Sequence, residues 1–291
     1  MAGVPTRLER KSFNWRPVLR VLHGVLVYAP LILGALVFAF PFFWLLTTSV
    51  KSPELILADP PQWIPNPLRI ENYAELMRAA PVLNWIRNSA LVAGFGTLFF
   101  TVSSVLIAYG FARLPFPGSR ILFICVLATM MMPGHITLIP RFVIFRELGW
   151  LDTLLPLIVP TLFGSPFYIF LLRQFFKSIP RDLDEAAELD GANTWQVLWD
   201  IMLPLTRPAI ITVALFSFIE LWSDFLEPFI YLSTPENLTL QVGLRWFDTQ
   251  YETRFHLLMA GSVLAMAPVV ILFFFAQKQF IQGITLTGLK G

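Results

Sequence analysis

Apolar residues run along this chain in long blocks separated by short charged interludes. Residues 21–50, 88–112, 121–140, 153–172 and 255–277 contain no Asp, Glu, Lys or Arg. About 20 apolar residues in a helix cross the hydrocarbon layer of a membrane, and each central Asp, Lys or Arg costs ~2.5–3.5 kcal/mol on insertion, so these runs predict five spans. A sixth is predicted over 205–232, where a charge-free start continues as apolar sequence through Glu220, Asp224 and Glu227. The pattern therefore reads as an all-α membrane protein with six transmembrane helices: a basic arm at 1–20, a helical domain over 21–277 and a tail at 278–291. Composition points the same way, with 56% hydrophobic and 14% charged residues, against about 45–50% and 25% in soluble domains. A net charge of only +2 leaves no bulk basic excess with which to grip nucleic acid.

Basic residues set the orientation, because positively charged short loops stay in the cytoplasm. Arg7, Arg10, Lys11, Arg16 and Arg20 precede the first span, which places the N-terminus inside. Six crossings return the C-terminus inside as well, and the inside segments then hold thirteen Lys and Arg against eight outside. The first apolar run is far longer than a signal-peptide core and is expected to be retained. An outer connection at 51–87 is rich in Pro and Trp, with Tyr73, Leu76 and Met77 at helical spacing. A second outer connection covers 233–254. A cytoplasmic one, 173–207, carries the strongest pattern.

From Arg181 to Gly191 the sequence has the grammar of a short exposed helix. Asp182 is placed to cap its start, with Glu185 returning the bond three residues later, and Gly191 suits the left-handed C′ position. Asn193 and Gln196 repeat the capping pair for a second helix, in which Trp195, Leu198 and Trp199 form an apolar stripe and Pro204 is expected to end the segment. Such a pair fits a groove in a soluble partner, or lies as an inert amphipathic loop on the membrane.

The spacing of Glu185-Ala186-Ala187, Gly191 four residues on, then Ile201, Leu203 and Pro204, resembles the EAA motif of binding-protein-dependent ABC importer permeases. The tail Gln277-Lys278-Gln279-Phe280-Ile281-Gln282-Gly283-Ile284, ending Thr287-Gly288-Leu289-Lys290-Gly291, and Asn237-Leu238-Thr239-Leu240-Gln241-Val242-Gly243-Leu244 resemble its sugar-importer branch, the maltose-transporter MalG-like subunits. The resemblance covers about residues 20–291 and implies the type I importer permease fold in a prokaryotic plasma membrane. It also implies partners: a second permease, more consistent with a heterodimer, two cytoplasmic ATPases that hold ATP and Mg, and an extracytoplasmic solute-binding protein delivering a carbohydrate. The coupling set would be Asp182, Leu183, Glu185, Ala186, Ala187, Gly191, Leu203 and Pro204, with Glu185 near an arginine of the ATPase cleft. By the same resemblance, the tail around Lys290 would touch the ATPases, and 233–254 would touch the binding protein.

No phosphate loop occurs in the sequence, so no ATPase chemistry is expected of this chain and energy must come from a partner. His23, His135 and His256 lack metal-ligand spacing, Cys125 reads as a small buried side chain, and Ser103, Ser104 and Ser217 read as hydroxyls bonded to the preceding helical turn. Glu220, Asp224 and Glu227 stand at i, i+4 and i+7, one face of a continuous helix, with Trp222 and Trp246 as aromatic neighbours for a sugar ring. Carboxylates in hydrocarbon normally face a protein interior or a water-filled cavity, which makes these acids substrate-pathway candidates. Asn84, Asn88 and Gln174 join them only if they face the same space. Prolines within spans, notably Pro41, Pro133, Pro140, Pro156, Pro160 and Pro166, are places for breaks or bends. Two other classes compete. A proton-coupled secondary transporter would use the acids as a relay, and a non-transporting membrane scaffold would need neither the acids nor the docking loop.

Overall fold

The computed structural model describes residues 16–248 and 254–288, apart from the side chains of 16–25, Ala276 and 278–288. Arg7, Arg10, Lys11 and Lys290, for which roles were expected, lie outside the described residues. Among those described, every element is a helix. The first, α1 (Arg16–Ser49), runs unbroken through Pro30 and Pro41 and leaves its apolar side chains from Leu26 to Phe43 largely exposed, as a lipid-facing helix does. The 51–87 connection contains α2 (Pro53–Ile56) and α3 (Glu71–Ala79). The apolar stripe of α3 does more than rest on a surface, because Leu76 is fully buried. Asn72 Nδ2 donates to the carbonyls of Ser49 and Lys51, both at 2.9 Å, pinning the end of α1 to this connection.

The central post is α4 (Val82–Arg113), 32 residues long. At 1.5 Å per residue it is about 48 Å long, so it projects beyond the hydrocarbon layer. The third apolar run, expected as one span over 121–140, instead folds as α5 (Ser119–Thr129), a 3₁₀ turn at Gly134–Thr137 and α6 (Leu138–Glu147), the two halves bent by 92°. Pro133 explains the bend, since it has no N–H to give and its ring collides with the carbonyl one turn back. The fourth run is interrupted too. It contains α7 (Leu155–Ile158), a 3₁₀ turn at Val159–Phe163, Gly164 at φ 75° and α8 (Pro166–Ser178), whose first turn Pro166 opens at the one position where its missing donor costs nothing.

After α8 come the two short loop helices, α9 (Asp182–Leu189) and α10 (Thr194–Gln196). Beyond them a π-turn at Val197–Met202 leads without a break into α11 (Leu203–Ser223). Pro204 was expected to stop this segment and does not. Leu203 N–H donates to Leu198 O across five residues, and this wider winding accommodates a proline just after it. The remaining elements are α12 (Leu226–Tyr231), a 3₁₀ turn at Pro235–Asn237, α13 (Leu240–Gly243), a 3₁₀ turn at Leu244–Phe247 and α14 (Phe255–Gly288). Among the described residues five helical segments are long and apolar enough to cross a membrane, or six if the bent α5–α6 pair counts as one span.

Among the described residues three buried clusters hold the bundle: one joins Val92, Phe145, Leu157, Tyr231 and Leu232, and two lie toward the ends of α4. At the Arg113 end of α4, Ala108, Tyr109, Leu172, Phe176, Leu198 and Met202 join α4, α8 and the π-turn. At the Trp85 end, Leu76, Trp85, Trp222, Leu240, Phe247 and Leu257 join α3, α4, α11, α13 and α14. Where α4 meets α11 the approach is close: a Cβ on Gly96 would lie 2.6 Å from Leu221 Cδ1. Cys125 sits in none of these clusters; it is exposed, in a recess between α5, α4 and the start of α8.

Candidate functional site

Two regions of the bundle carry chemistry. The first is a cleft of about 790 Å³ whose walls include Glu220, Asp224, Glu227, Arg141, His135 and Phe167. Three irregular stretches converge on it: the bend after Met130, the Pro156–Pro166 stretch, and a break at Asp224. Non-helical backbone at membrane depth is tolerated where it lines a cavity or is buried in protein, which is the arrangement here.

The expected single helical face for the three acids is not what brings them together. Asp224 is extended, at φ −65° and ψ 130°, so α11 ends at Ser223. Pro228 lies four residues on and would clash with the Asp224 carbonyl in a continued helix. Asp224 stands just before the cap residue of the next helix, Phe225, and its Oδ1 accepts from the first helical N–H, that of Leu226, at 3.1 Å. Despite the break, all three carboxyls reach the cleft wall. Glu220 Oε2 accepts from the Tyr168 hydroxyl at 2.8 Å. Glu227 forms a two-point ion pair with Arg141, Nη1 to Oε1 at 2.5 Å and Nη2 to Oε2 at 3.1 Å. Arg141 and Tyr168 were missed in the sequence. Arg141 stands at the very edge of a charge-free run, directly after Pro140, and that position was its available signal.

Trp222 is not part of the cleft. Its indole is buried, stacks on Phe218 and donates to Ala265 O at 2.7 Å, which makes it a strut between α11 and α14. Asn88 is a clamp rather than a lining residue, its Nδ2 donating to Glu236 O at 2.9 Å and Leu238 O at 3.0 Å. Asn84 and Gln174 are exposed and absent from the cleft wall. Ser103 and Ser217 bond backward to Phe99 O and Val213 O, the local habit of hydroxyls in helices. His256 lies beside Glu75, at 3.5 Å. Among the described residues no group of three or more His, Cys, Asp or Glu is placed to hold a metal.

The second region is the loop carrying α9. No side chain of α9 itself is buried, only Asp184 and Ala187 being half-buried, and Leu189 is 90% exposed. Asp182 does not cap it. Arg181 occupies the cap position, and Asp182 is the first helical residue, where its charge still favours the helix N-terminus. The far end explains the Ala187–Gly191 spacing. Gly191 N–H donates to Glu188 O at 3.0 Å and Ala192 N–H to Ala187 O at 2.9 Å, a Schellman turn that requires the left-handed φ of 87° found at Gly191. Asn193 and Gln196 then form the expected capping box that starts α10. Glu185, Ala186 and Gly191 are exposed, while Leu203 is half-buried at the start of α11. Asp184, one residue before Glu185, pairs with Arg113 Nη1 at 2.9 Å. Burial pushes the Asp184 carboxyl above its usual range, outweighing the attraction of Arg113.

At the opposite end, the 233–247 stretch is bolted to α4. Trp85 Nε1 donates to Pro235 O at 2.7 Å, and Ser89 Oγ accepts from Leu240 N–H at 2.8 Å. Asp152, in the turn after α6, takes a left-handed φ of 58° and accepts from the amides of Ser233 and Thr234 and from the Thr234 hydroxyl. Burial opposes its ionised form, yet these bonds prevail and bring it down to about 2.

The geometry can be set beside known proteins. Residues 103–286 match the family model described as "Binding-protein-dependent transport system inner membrane component". The arabinooligosaccharides transport system permease protein AraQ of Bacillus subtilis is 35% identical over 260 residues, 88% of this chain and 92% of that one. The trehalose/maltose transport system permease protein MalG of Thermococcus litoralis is 32% identical over 276 residues, covering 93% and 98%. Among solved structures, a bacterial ABC transporter that imports the acidic polysaccharide alginate superposes with a TM-score of 0.79 at 24% identity, covering 92% of this chain and 99% of that one. A non-catalytic, multi-helix subunit of the inner membrane accounts for all of these matches. The chain belongs to the family of binding-protein-dependent transport system inner membrane components.

Proposed function

We propose that this chain is one of two permease subunits in an ATP-driven carbohydrate importer. The observation that carries this reading is the α9–Gly191–α10 unit, which stands outside the bundle with its Glu185 side unburied. A short helix that buries none of its own side chains gains little by folding alone, and fits a partner that covers it. In this reading that partner is an ATPase binding ATP and Mg, the α9 end is cytoplasmic, and the 233–247 end faces a solute-binding protein. The coupling set is then Asp182, Leu183, Glu185, Ala186, Ala187, Gly191, Leu203 and Pro204. The tail around Lys290 is a second ATPase contact, and the second permease, a sister rather than a copy, closes the open side of the cleft.

The cleft supports a neutral cargo. Its one guanidinium is occupied by Glu227, while Glu220 and Asp224 present carboxylate oxygens to the open space. Sugar hydroxyls donate to such oxygens, whereas an acidic glycan would meet like charge. The relatives' names span both kinds, from arabino-oligosaccharides to alginate.

The decisive experiment places Glu185→Lys in the purified complex. We expect the subunit to fold and uptake to collapse by about tenfold or more, since a reversed charge in a covered contact costs several kcal/mol. Undiminished uptake would overturn the coupling role. Screening neutral and uronate oligosaccharides for stimulated ATP hydrolysis tests the cargo class, and stimulation by uronates alone would overturn it.

A further inference from the structure

Arg113 is the last residue of α4, and three helix ends meet at its guanidinium, whose side chain is only 4% exposed. Nη2 donates to Phe176 O at 2.5 Å and to Ile179 O at 2.8 Å, carbonyls at the C-terminal end of α8, of which Phe176 O has only a long 3.4 Å bond from Ile179 N–H beside it. Nη1 meets Asp184 Oδ2 at 2.9 Å in the first turn of α9. One cation thus answers the negative end of α8 and the carboxylate of α9 while being fixed to the end of α4. Among the described side chains this ion pair is the single polar link from α9 to the membrane helices. The rest of its hold is Ala187 and Ala192 packed on the nearby cluster and the chain connections on either side, of which the α10 side is bonded to α4 where the Tyr109 hydroxyl donates to Thr194 O at 3.2 Å.

The residue type matters. A guanidinium is planar and points its donors in fixed directions, so acceptors on two other helices are held at set angles to α4; a lysine ammonium would satisfy charge without fixing direction. A largely buried ion pair adds little net stability over apolar packing, but losing one partner strands the other. Its value here is geometric.

We infer that Arg113 is a positioning residue for coupling: it makes α4 and α8 move with α9, so that a pull on the exposed loop reaches two membrane helices at once. The inference rests on the reading of α9 as the ATPase contact. If the latch carries load, an ATPase pair closing without cargo must drag α4 and α8 with it, and hydrolysis is held back. Cutting the latch removes that drag.

The test uses the assembled complex in lipid nanodiscs with MgATP as the only ligand. Asp184→Asn keeps the side chain's size and both carbonyl bonds of Arg113, and Arg113→Lys keeps the charge but not the fork. Each should raise cargo-free hydrolysis about fivefold, the equivalent of roughly 1 kcal/mol of lost coupling. Because both cut one connection, the double variant should exceed the larger single effect by little. A merely structural role predicts the opposite, less assembled complex and less hydrolysis. Should Arg113→Lys fail to assemble, Asp184→Asn alone decides. Unchanged or reduced hydrolysis in Asp184→Asn, with ATPase still bound, overturns the latch. Glu185→Lys separates the two readings: if it perturbs ATPase binding or hydrolysis while Asp184→Asn does not, only the latch falls. If Glu185→Lys also changes nothing, the ATPase contact lies elsewhere and both fall.

Discussion

At the Trp85 end of the bundle, the 233–247 stretch is tied to α4 through Trp85, Asn88 and Ser89 and to the α6–α7 turn through Asp152, and much of its own surface is buried. At the Arg113 end, α9 buries no side chain and is tied by one ion pair, with one further bond from the Tyr109 hydroxyl to Thr194 O where α10 begins. Both are connections between spans, both are short of regular structure, and the same chain builds them in opposite ways. Many bonds in many directions make a surface that keeps its shape when touched. One strong bond at a junction of helices makes a part that passes on whatever is done to it. Under the function proposed above, the difference suits a loop that receives a cargo-bearing protein and a loop gripped by a moving one.

The contrast breaks most readily at Gly243, where a Cβ would fall 2.2 Å from the Trp85 ring, an atom group that cannot swing aside. Gly243→Ala should lower stability by about 3 kcal/mol, the upper part of the usual overpacking range, as read by thermal melting of the purified complex. A loss below that of an exposed helix substitution would show the outer loop to be adaptable after all. Next comes Asp152. Its carboxyl is held down to about 2 from an ordinary 3.8, so its bonds contribute above pH 4 and are lost as pH falls from about 4 toward 2. Asp152→Asn should cost about 1–2 kcal/mol near neutrality and should flatten the melting curve's pH dependence in that window. The smallest expected effect belongs to the other end. Gly191 has open space where an added methyl would sit but a φ of 87°, so Gly191→Ala should cost about 1 kcal/mol through backbone strain alone. It should show in cargo-free hydrolysis rather than in melting temperature, and Gly191→Asn should be milder.

Long charge-free runs made most of the spans readable, because hydrocarbon tolerates few alternatives to an apolar helix. The Ala187–Gly191 spacing was readable for a similar reason: a Schellman turn admits one register. What could not be read was decided by contacts across the fold. Pro204 looked like a stop until the π-turn before it absorbed the missing donor. Glu220, Asp224 and Glu227 looked like one helical face, yet Pro228 forces a break that a count of residues at i, i+4 and i+7 ignores. Trp222 and Asn88 looked free to meet a ligand, but each commits its polar atoms to carbonyls about 40 to 150 positions away in sequence. Arg113 carried no local pattern at all, since its three acceptors come from segments more than 60 residues downstream.

The winding that lets Pro204 pass has a further result. From Thr194 to Ser223 the chain forms 30 helical residues without a break, a rod of roughly 45 Å. One tip lies beside the exposed loop and the other stops at Asp224, on the wall of the cleft. A push on the first tip thus has one continuous helix along which to reach the second, with the π-turn and Pro208 as the places where that helix can flex.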